Sequence, residues 1–229
     1  KAARIVYSAK GANVIEFGLR RAQGPDAGIY GARASMIGGC KGTSNVLSGK
    51  MFDIVVKGTH SHSWVMSFSS EIEAFRKFAE IYPDNCLLLV DTYDTIGSGI
   101  PNAITVFREL REKGHKPVGI RLDSGDLAYL SKKARKMLDD AGFPDAIIFA
   151  SNDIDEYLIS QLLLQDAKID VYGVGTKLIT SHDMPSLGGV YKMSRITRDG
   201  VDYPCMKISD TSGKTTNPGF KTLYRIYDA

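Results

Sequence analysis

Two histidines flank a serine in Lys57-Gly58-Thr59-His60-Ser61-His62-Ser63. An imidazole placed just after Gly-Thr in a loop can serve as a nucleophile or a base, although a lone exposed histidine more often has no role. Carboxylates gather with an arginine in Arg121-Leu122-Asp123-Ser124-Gly125-Asp126, and again in Asp91-Thr92-Tyr93-Asp94. Asp126 and Asp153 fit helix caps equally well, whereas Asp91 and Asp123 have no helix to cap. Gly175-Thr176, read as the start of a helix, offers backbone N–H groups and a hydroxyl to a phosphate, a weak signal on its own. Arginine adds bidentate recognition of phosphate or carboxylate. Aspartates accept hydrogen bonds from sugar hydroxyls and can hold Mg2+. Together these types suit a phosphorylated sugar carried with a metal. Residue order leaves Arg20 and Arg21 open between ligand binding and plain surface charge, and Phe17 reads by default as core.

The elements that would position these groups alternate. Leu87 to Asp91, Val118 to Leu122, Ala146 to Ala150 and Ile169 to Tyr172 are apolar runs of the kind found in strands buried on both faces. Val14 to Phe17 and Asp53 to Val56 read as shorter strands, with Asn45-Val46-Leu47 as a candidate. Helices are expected from Ser70 to Tyr82 (Ser70 and Glu73 forming a capping box), from Pro101 to Lys113, and after Asp126. Asp153 and Glu156 resemble a second capping box. About seven strands, most followed by a helix, imply a parallel sheet, open or closed, and we favour a closed or nearly closed α/β barrel over residues 1–187, with fewer regular units than a full eightfold one. The carboxyl ends of its strands would converge on one mouth, where ligands bind.

From residue 188 to 229 the pattern changes. Gly189 to Ile196, a turn at Arg198-Asp199-Gly200, and Lys221 to Tyr227 read as antiparallel strands of a second domain. The chain opens on Lys1 and reads as mid-domain, so a preceding segment is expected to complete that second domain.

Composition narrows the classes. The 229 residues carry a net charge of +3, too balanced to suggest a nucleic-acid or membrane surface. No apolar run approaches the ~20 residues of a membrane span. Cys40, Cys86 and Cys205 lack metal-ligand spacing and read as reduced thiols of a cytoplasmic protein. No G-x-x-x-x-G-K-[ST] stretch is present, which removes a Walker-type ATP site.

Six segments, in order, resemble the motifs of the nicotinate phosphoribosyltransferases, members of the type II phosphoribosyltransferase family. They are Glu16-Phe17-Gly18-Leu19-Arg20-Arg21-Ala22-Gln23-Gly24, Lys41-Gly42-Thr43-Ser44-Asn45, Gly58-Thr59-His60-Ser61-His62-Ser63-Trp64-Val65, Asp91-Thr92-Tyr93-Asp94, Arg121 to Leu127 and Tyr172 to Leu178. The third motif often carries Ala where Ser61 stands and varies at His60, which leaves the histidine assignment at His62.

The resemblance implies an incomplete α/β barrel beside an α/β sandwich domain, in a homodimer. It implies that nicotinate and 5-phosphoribosyl 1-pyrophosphate are joined with Mg2+ present and with ATP as co-substrate, through a phosphohistidine. On it, His62 is the residue phosphorylated and Asp91 the carboxylate that orients it. Arg121 and Asp123 match the phosphoribosyl and base site, Phe17 the aromatic that stacks on the pyridine, and Arg20 a neighbouring ligand-binding arginine. Thr59 matches a substrate-contacting threonine, and Gly175 and Thr176 the loop holding the product's 5′-phosphate. The related nicotinamide enzyme carries an acid where Ser44 stands; a carboxylate ~4 Å from nicotinate's own would cost roughly 4 kcal/mol at an effective dielectric near 20. The nicotinamide or quinolinate enzyme, another phosphosugar barrel, and an inactive homologue or fragment remain the alternatives.

Overall fold

The computed structural model describes residues 1–227. The chain divides after Pro185 into two compact units.

In the larger unit, β1 (Asn13–Glu16), β2 (Leu87–Leu89), β3 (Gly119–Leu122), β4 (Ile147–Ala150) and β5 (Val171–Val174) form one sheet in the order β1-β5-β4-β3-β2. Every neighbouring pair is parallel. Helices fill the connections: α1 (Ala2–Ser8) before β1, then α2 (Pro25–Ile37), α3 (Val46–Phe52), α4 (His62–Met66) and α5 (Glu71–Ile81) between β1 and β2. α6 (Ile100–Glu112), α7 (Leu127–Asp140) and α8 (Glu156–Leu164) each link successive strands, and α9 (Thr176–Ile179) follows β5. No helix among the described residues is long and apolar enough to cross a membrane.

The alternation of side chains sorts the strands into two faces. Leu88, Ile120, Leu122, Ile148, Ala150, Tyr172 and Val174 join the main core with the helices, for instance Phe75 and Phe107. Each such fully buried large side chain is worth roughly 1.5–3 kcal/mol. Ile15, Leu87, Phe149 and Val171 form a smaller cluster, with Phe17 packed against it. The row Leu89, Arg121, Phe149 runs across β2, β3 and β4 in register, so Arg121 stands between two apolar neighbours.

Several expected elements differ. The sheet has five strands, not seven. Asn45-Val46-Leu47 opens α3, because the Asn45 side chain accepts the Ser48 N–H at 3.1 Å and caps it. Asp53 ends α3 in a left-handed turn, so the strand expected over 53–56 shrinks to one bridge at Val56. Single parallel bridges, Glu16 to Thr43 and Thr43 to Val56, continue the β1 edge. The last strand lies two residues later than read: Asp170 accepts the Ile148 N–H through its carboxylate and donates its own N–H to the Ile148 carbonyl, just ahead of the strand. α8 is capped by Asp155, which accepts from the N–H groups of Tyr157 and Leu158; Asp153 sits in a positive-φ loop instead. Asp126 and Ser70 cap α7 and α5 as read.

In the smaller unit, β6 (Arg195–Arg198) and β7 (Val201–Pro204) form an antiparallel hairpin. Its turn residues Asp199 and Gly200 both have positive φ, the backbone of a tight two-residue turn. The strand expected from Gly189 starts only at Arg195, and Lys221–Tyr227 forms no strand. Exposed Leu223, Tyr224 and Ile226 have no partner strand within the described residues to alternate against.

Candidate functional site

The carboxyl ends of β1, β2 and β3, together with the segments around Ser44 and Thr59, surround a cavity of about 300 Å3. It is lined by Phe17, Arg20, Ser44, Gly58, Thr59, Ser61, His62, Leu89, Arg121 and Asp123. A second hollow of about 180 Å3 shares Phe17, Arg20, Arg121 and Asp123 and adds Arg21, Ser151, Asn152, Asp153, Gly173, Gly175 and Thr176. Nine of the ten residues singled out from the sequence therefore line these two hollows, and the tenth, Asp91, lies against them.

Arg121 is the hub. Its Nη2 donates to Asp123 at 2.9 Å, its Nη1 to the Thr59 hydroxyl at 2.9 Å, and its Nε to the Ser151 hydroxyl at 2.8 Å. Its guanidinium also lies 5.3 Å from the centroid of the Phe17 ring. Three N–H directions of a planar cation are thus fixed by strands and loops far apart in sequence, which only Arg among the basic residues can do.

The Phe17 ring stacks on Phe149 at 5.4 Å with the planes 15° apart. Gly173 makes that stack possible: a Cβ there would lie 2.6 Å from the Phe149 ring and 2.9 Å from the Phe17 ring. With one face on Phe149, half-buried Phe17 offers its remaining surface to the cavity.

Asp91 follows β2. Its side chain is 1% exposed. Oδ2 accepts from the Asp123 N–H at 2.9 Å and the Ser124 hydroxyl at 2.5 Å, while Oδ1 is buried without a hydrogen-bond partner. His62 opens α4, with Nδ1 3.1 Å from the Thr92 hydroxyl. Its Nε2 is 3.6 Å from Asp123 and 3.9 Å from Asp91, and the ring is 39% exposed, open to a reactant. Burial pushes the Asp123 carboxyl up, but Arg121 and the Ser151 hydroxyl more than offset this and hold it below its ordinary value. The site thus sets an exposed imidazole over two carboxylates, one of them kept ionised by an arginine.

Sequence reading missed Ser151, whose hydroxyl bridges Arg121 and Asp123. It missed Thr92 and the role of Glu16, a fully buried carboxylate bonded to the Thr43 hydroxyl and the Gly18 N–H behind Ser44 and Phe17. Ser151 and Thr92 stand immediately beside quoted strand ends, and that position was their one available signal. It also left Asn152 aside, a non-glycine residue at φ 105° in the second hollow, where backbone strain commonly marks function.

A larger hollow of about 470 Å3 between α5 and α6 is crossed by ion pairs such as Arg76 with Glu109, and no strand end reaches it.

The family model described as the nicotinate phosphoribosyltransferase (NAPRTase) family matches residues 12–227. The chain belongs to the nicotinate phosphoribosyltransferase family. It is 55% identical over 226 residues to the nicotinate phosphoribosyltransferase of Bacillus subtilis, covering 99% of this chain and 46% of that protein. The Dictyostelium discoideum nicotinate phosphoribosyltransferase is 40% identical, over 93% of this chain and 43% of its own length. Among solved structures, human nicotinic acid phosphoribosyltransferase superposes with a TM-score of 0.71 at 31% identity, across 76% of this chain and 46% of that one. The chain spans less than half the length of these curated relatives. The matched residues include all six motifs and both hollows.

Proposed function

We propose that this protein joins nicotinate to 5-phosphoribosyl 1-pyrophosphate, forming nicotinate mononucleotide and pyrophosphate, with ATP hydrolysed through a phosphohistidine at His62. The reading is carried by one observation: Phe17, Arg20, Ser44, Thr59, His62, Arg121 and Asp123, from four separated stretches, line a single cavity.

The pyridine stacks on the free face of Phe17, with its carboxylate toward Arg20 and Ser44. Its ring nitrogen then faces the ribose held by Arg121 and Asp123, and the 5′-phosphate takes the second hollow beside Gly175, Thr176 and Arg21. The C1–O bond to pyrophosphate breaks as the C1–N bond forms, through a state with positive charge on the ribose. Asp123, held ionised by Arg121, is placed to stabilise that charge, and the fixed guanidinium supplies orientation. ATP transfers its γ-phosphoryl group to a ring nitrogen of His62, releasing ADP. Hydrolysis of that phosphoramidate releases phosphate and drives an otherwise unfavourable condensation.

Among the described residues no three metal-ligating groups converge. The unpartnered Oδ1 of Asp91 beside Asp123 fits instead a Mg2+ that arrives on the diphosphate with phosphate oxygens of its own. The metal then belongs to the substrate complex and neutralises its charge.

The two single-residue bridges beyond β1 support reading the sheet as an incomplete barrel. The hairpin unit is read as part of a second domain, the assembly as a homodimer, and the free thiols as those of a cytoplasmic protein. The test is a substrate panel: nicotinate, nicotinamide and quinolinate, each with 5-phosphoribosyl 1-pyrophosphate and Mg2+, with and without ATP. Nicotinate turnover stimulated by ATP is expected; preference for either other pyridine overturns the reading.

A further inference from the structure

His60 is 6% exposed and stands outside the chemistry just described. Its ring packs edge-on to Phe78 at 4.8 Å and against Phe75 at 5.9 Å. Its Nε2 lies 3.1 Å from the backbone N of Leu89. Only an unprotonated Nε2 can accept that N–H, so the ring is neutral with its proton on Nδ1, which faces the Ser61 carbonyl at 3.4 Å. Burial favours the same neutral form.

β2 is an edge of the five-stranded sheet, and Leu89 is buried. A buried backbone donor at a sheet edge needs a partner, which a neighbouring strand would ordinarily supply. Here an imidazole supplies it. The spacing on the two sides is equal: His62 follows His60 by two residues, and Asp91 follows Leu89 by two. The bond therefore acts as one rung between the loop and the strand, and the next rung outward is the His62–Asp91 pair, with Nε2 3.9 Å from Oδ1. Thr59, on the other side of His60, is tied to Arg121 at 2.9 Å.

We infer that His60 is a positioning residue for the transferred-phosphoryl site: its Nε2 clamps the 57–62 loop to the Leu89 N–H and so sets the reach of His62 to Asp91. The inference rests on His62 being the residue phosphorylated.

Glutamine can place Oε1 near the position of Nε2 and accept the same N–H; leucine and asparagine cannot. Three variants, His60→Gln, His60→Leu and His60→Asn, are compared with the unaltered protein by amide exchange at Leu89 and by the rate of His62 labelling from γ-labelled ATP. His60→Gln is expected to keep the Leu89 amide protected and the labelling rate within about threefold. His60→Leu is expected to lose that protection and slow labelling by roughly 10²-fold, since small displacements of a reacting group cost that much, with the KM for nicotinate nearly unchanged. Should His60→Leu not fold, His60→Asn carries the same comparison. Wild-type labelling in a folded His60→Leu or His60→Asn protein, or a His60→Gln protein as impaired as these, overturns the clamp. Leu89 protection indifferent to the residue at 60 overturns it as well, whatever the label does. Failure of the unaltered protein to take label, with Leu89 protection still following the variants, counts against the phosphohistidine alone.

Discussion

The carboxylate of Asp91 accepts the backbone N–H of Asp123 at 2.9 Å, so the end of β2 holds the end of β3. The same carboxylate leaves its other oxygen unpartnered, 3.9 Å from Nε2 of His62. One acid therefore serves two ends: it fixes the loop carrying Asp123 and faces the reactive imidazole. Asp91→Asn keeps an oxygen for the Asp123 N–H and removes the charge. Thermal stability should change little while His62 labelling slows by roughly 10²-fold. An unchanged labelling rate would show that the charge has no part.

The stacked pair Phe17 and Phe149 predicts matching defects from two separate substitutions. Phe17→Leu should raise the KM for nicotinate by roughly three- to tenfold, the worth of one aromatic contact. Gly173→Ala should do the same without touching the base, because its methyl group would press on both rings. Steady-state kinetics with 5-phosphoribosyl 1-pyrophosphate held saturating reads both, and a normal KM in Gly173→Ala removes the stack from the account.

Ser44 is half-buried in the cavity wall, its N–H bonded to the Glu16 carbonyl. Ser44→Asp puts a carboxylate where nicotinate's own is expected. Repulsion of up to ~4 kcal/mol, trimmed by solvent at the open mouth, should cost nicotinate at least roughly tenfold in kcat/KM. Nicotinamide use should suffer much less. Equal loss for both pyridines contradicts the assignment of Ser44.

Burial lowers the His60 imidazole to about 4, from an ordinary 6.5, against the Ser61 carbonyl and with help from Arg121 and His62. Between those values the unfolded chain binds a proton that the folded one refuses. Stability should therefore fall as the pH drops from about 6.5 toward 4, by at most ~3 kcal/mol from this group. His60→Gln lacks the titration, so its melting temperature should fall less between pH 7 and pH 5 than that of the unaltered protein. Parallel curves would mean that His60 takes its proton at its ordinary value.

Much of the site was legible because strand ends announce themselves. Leu87 to Val90 is a continuous apolar run that stops at Asp91, and a polar residue at that junction has few other reasons to be there. The runs that form β2, β3 and β4 were legible for the same reason. What escaped reading was local or collective. Asn45 converts Val46 and Leu47 from a plausible strand into a helix through one side-chain cap, and two apolar residues are too few to fix a period. Asp153 and Asp155 both suit a cap, and only the backbone geometry chooses Asp155. Ser151 became meaningful only when β3 and β4 stood in register and brought its hydroxyl to Arg121. His60 looked equivalent to His62 in sequence; burial separates them, one ring caged by Phe75 and Phe78 and the other open to the cavity.

The most direct measurement of the central claim is incubation of the protein with γ-labelled ATP, followed by acid-lability and peptide mapping of the label. The geometry predicts an acid-labile label on His62, discharged when Mg2+ and 5-phosphoribosyl 1-pyrophosphate are added. An acid-stable label on another residue, or no label in protein that is making nicotinate mononucleotide at the expense of ATP, would contradict it.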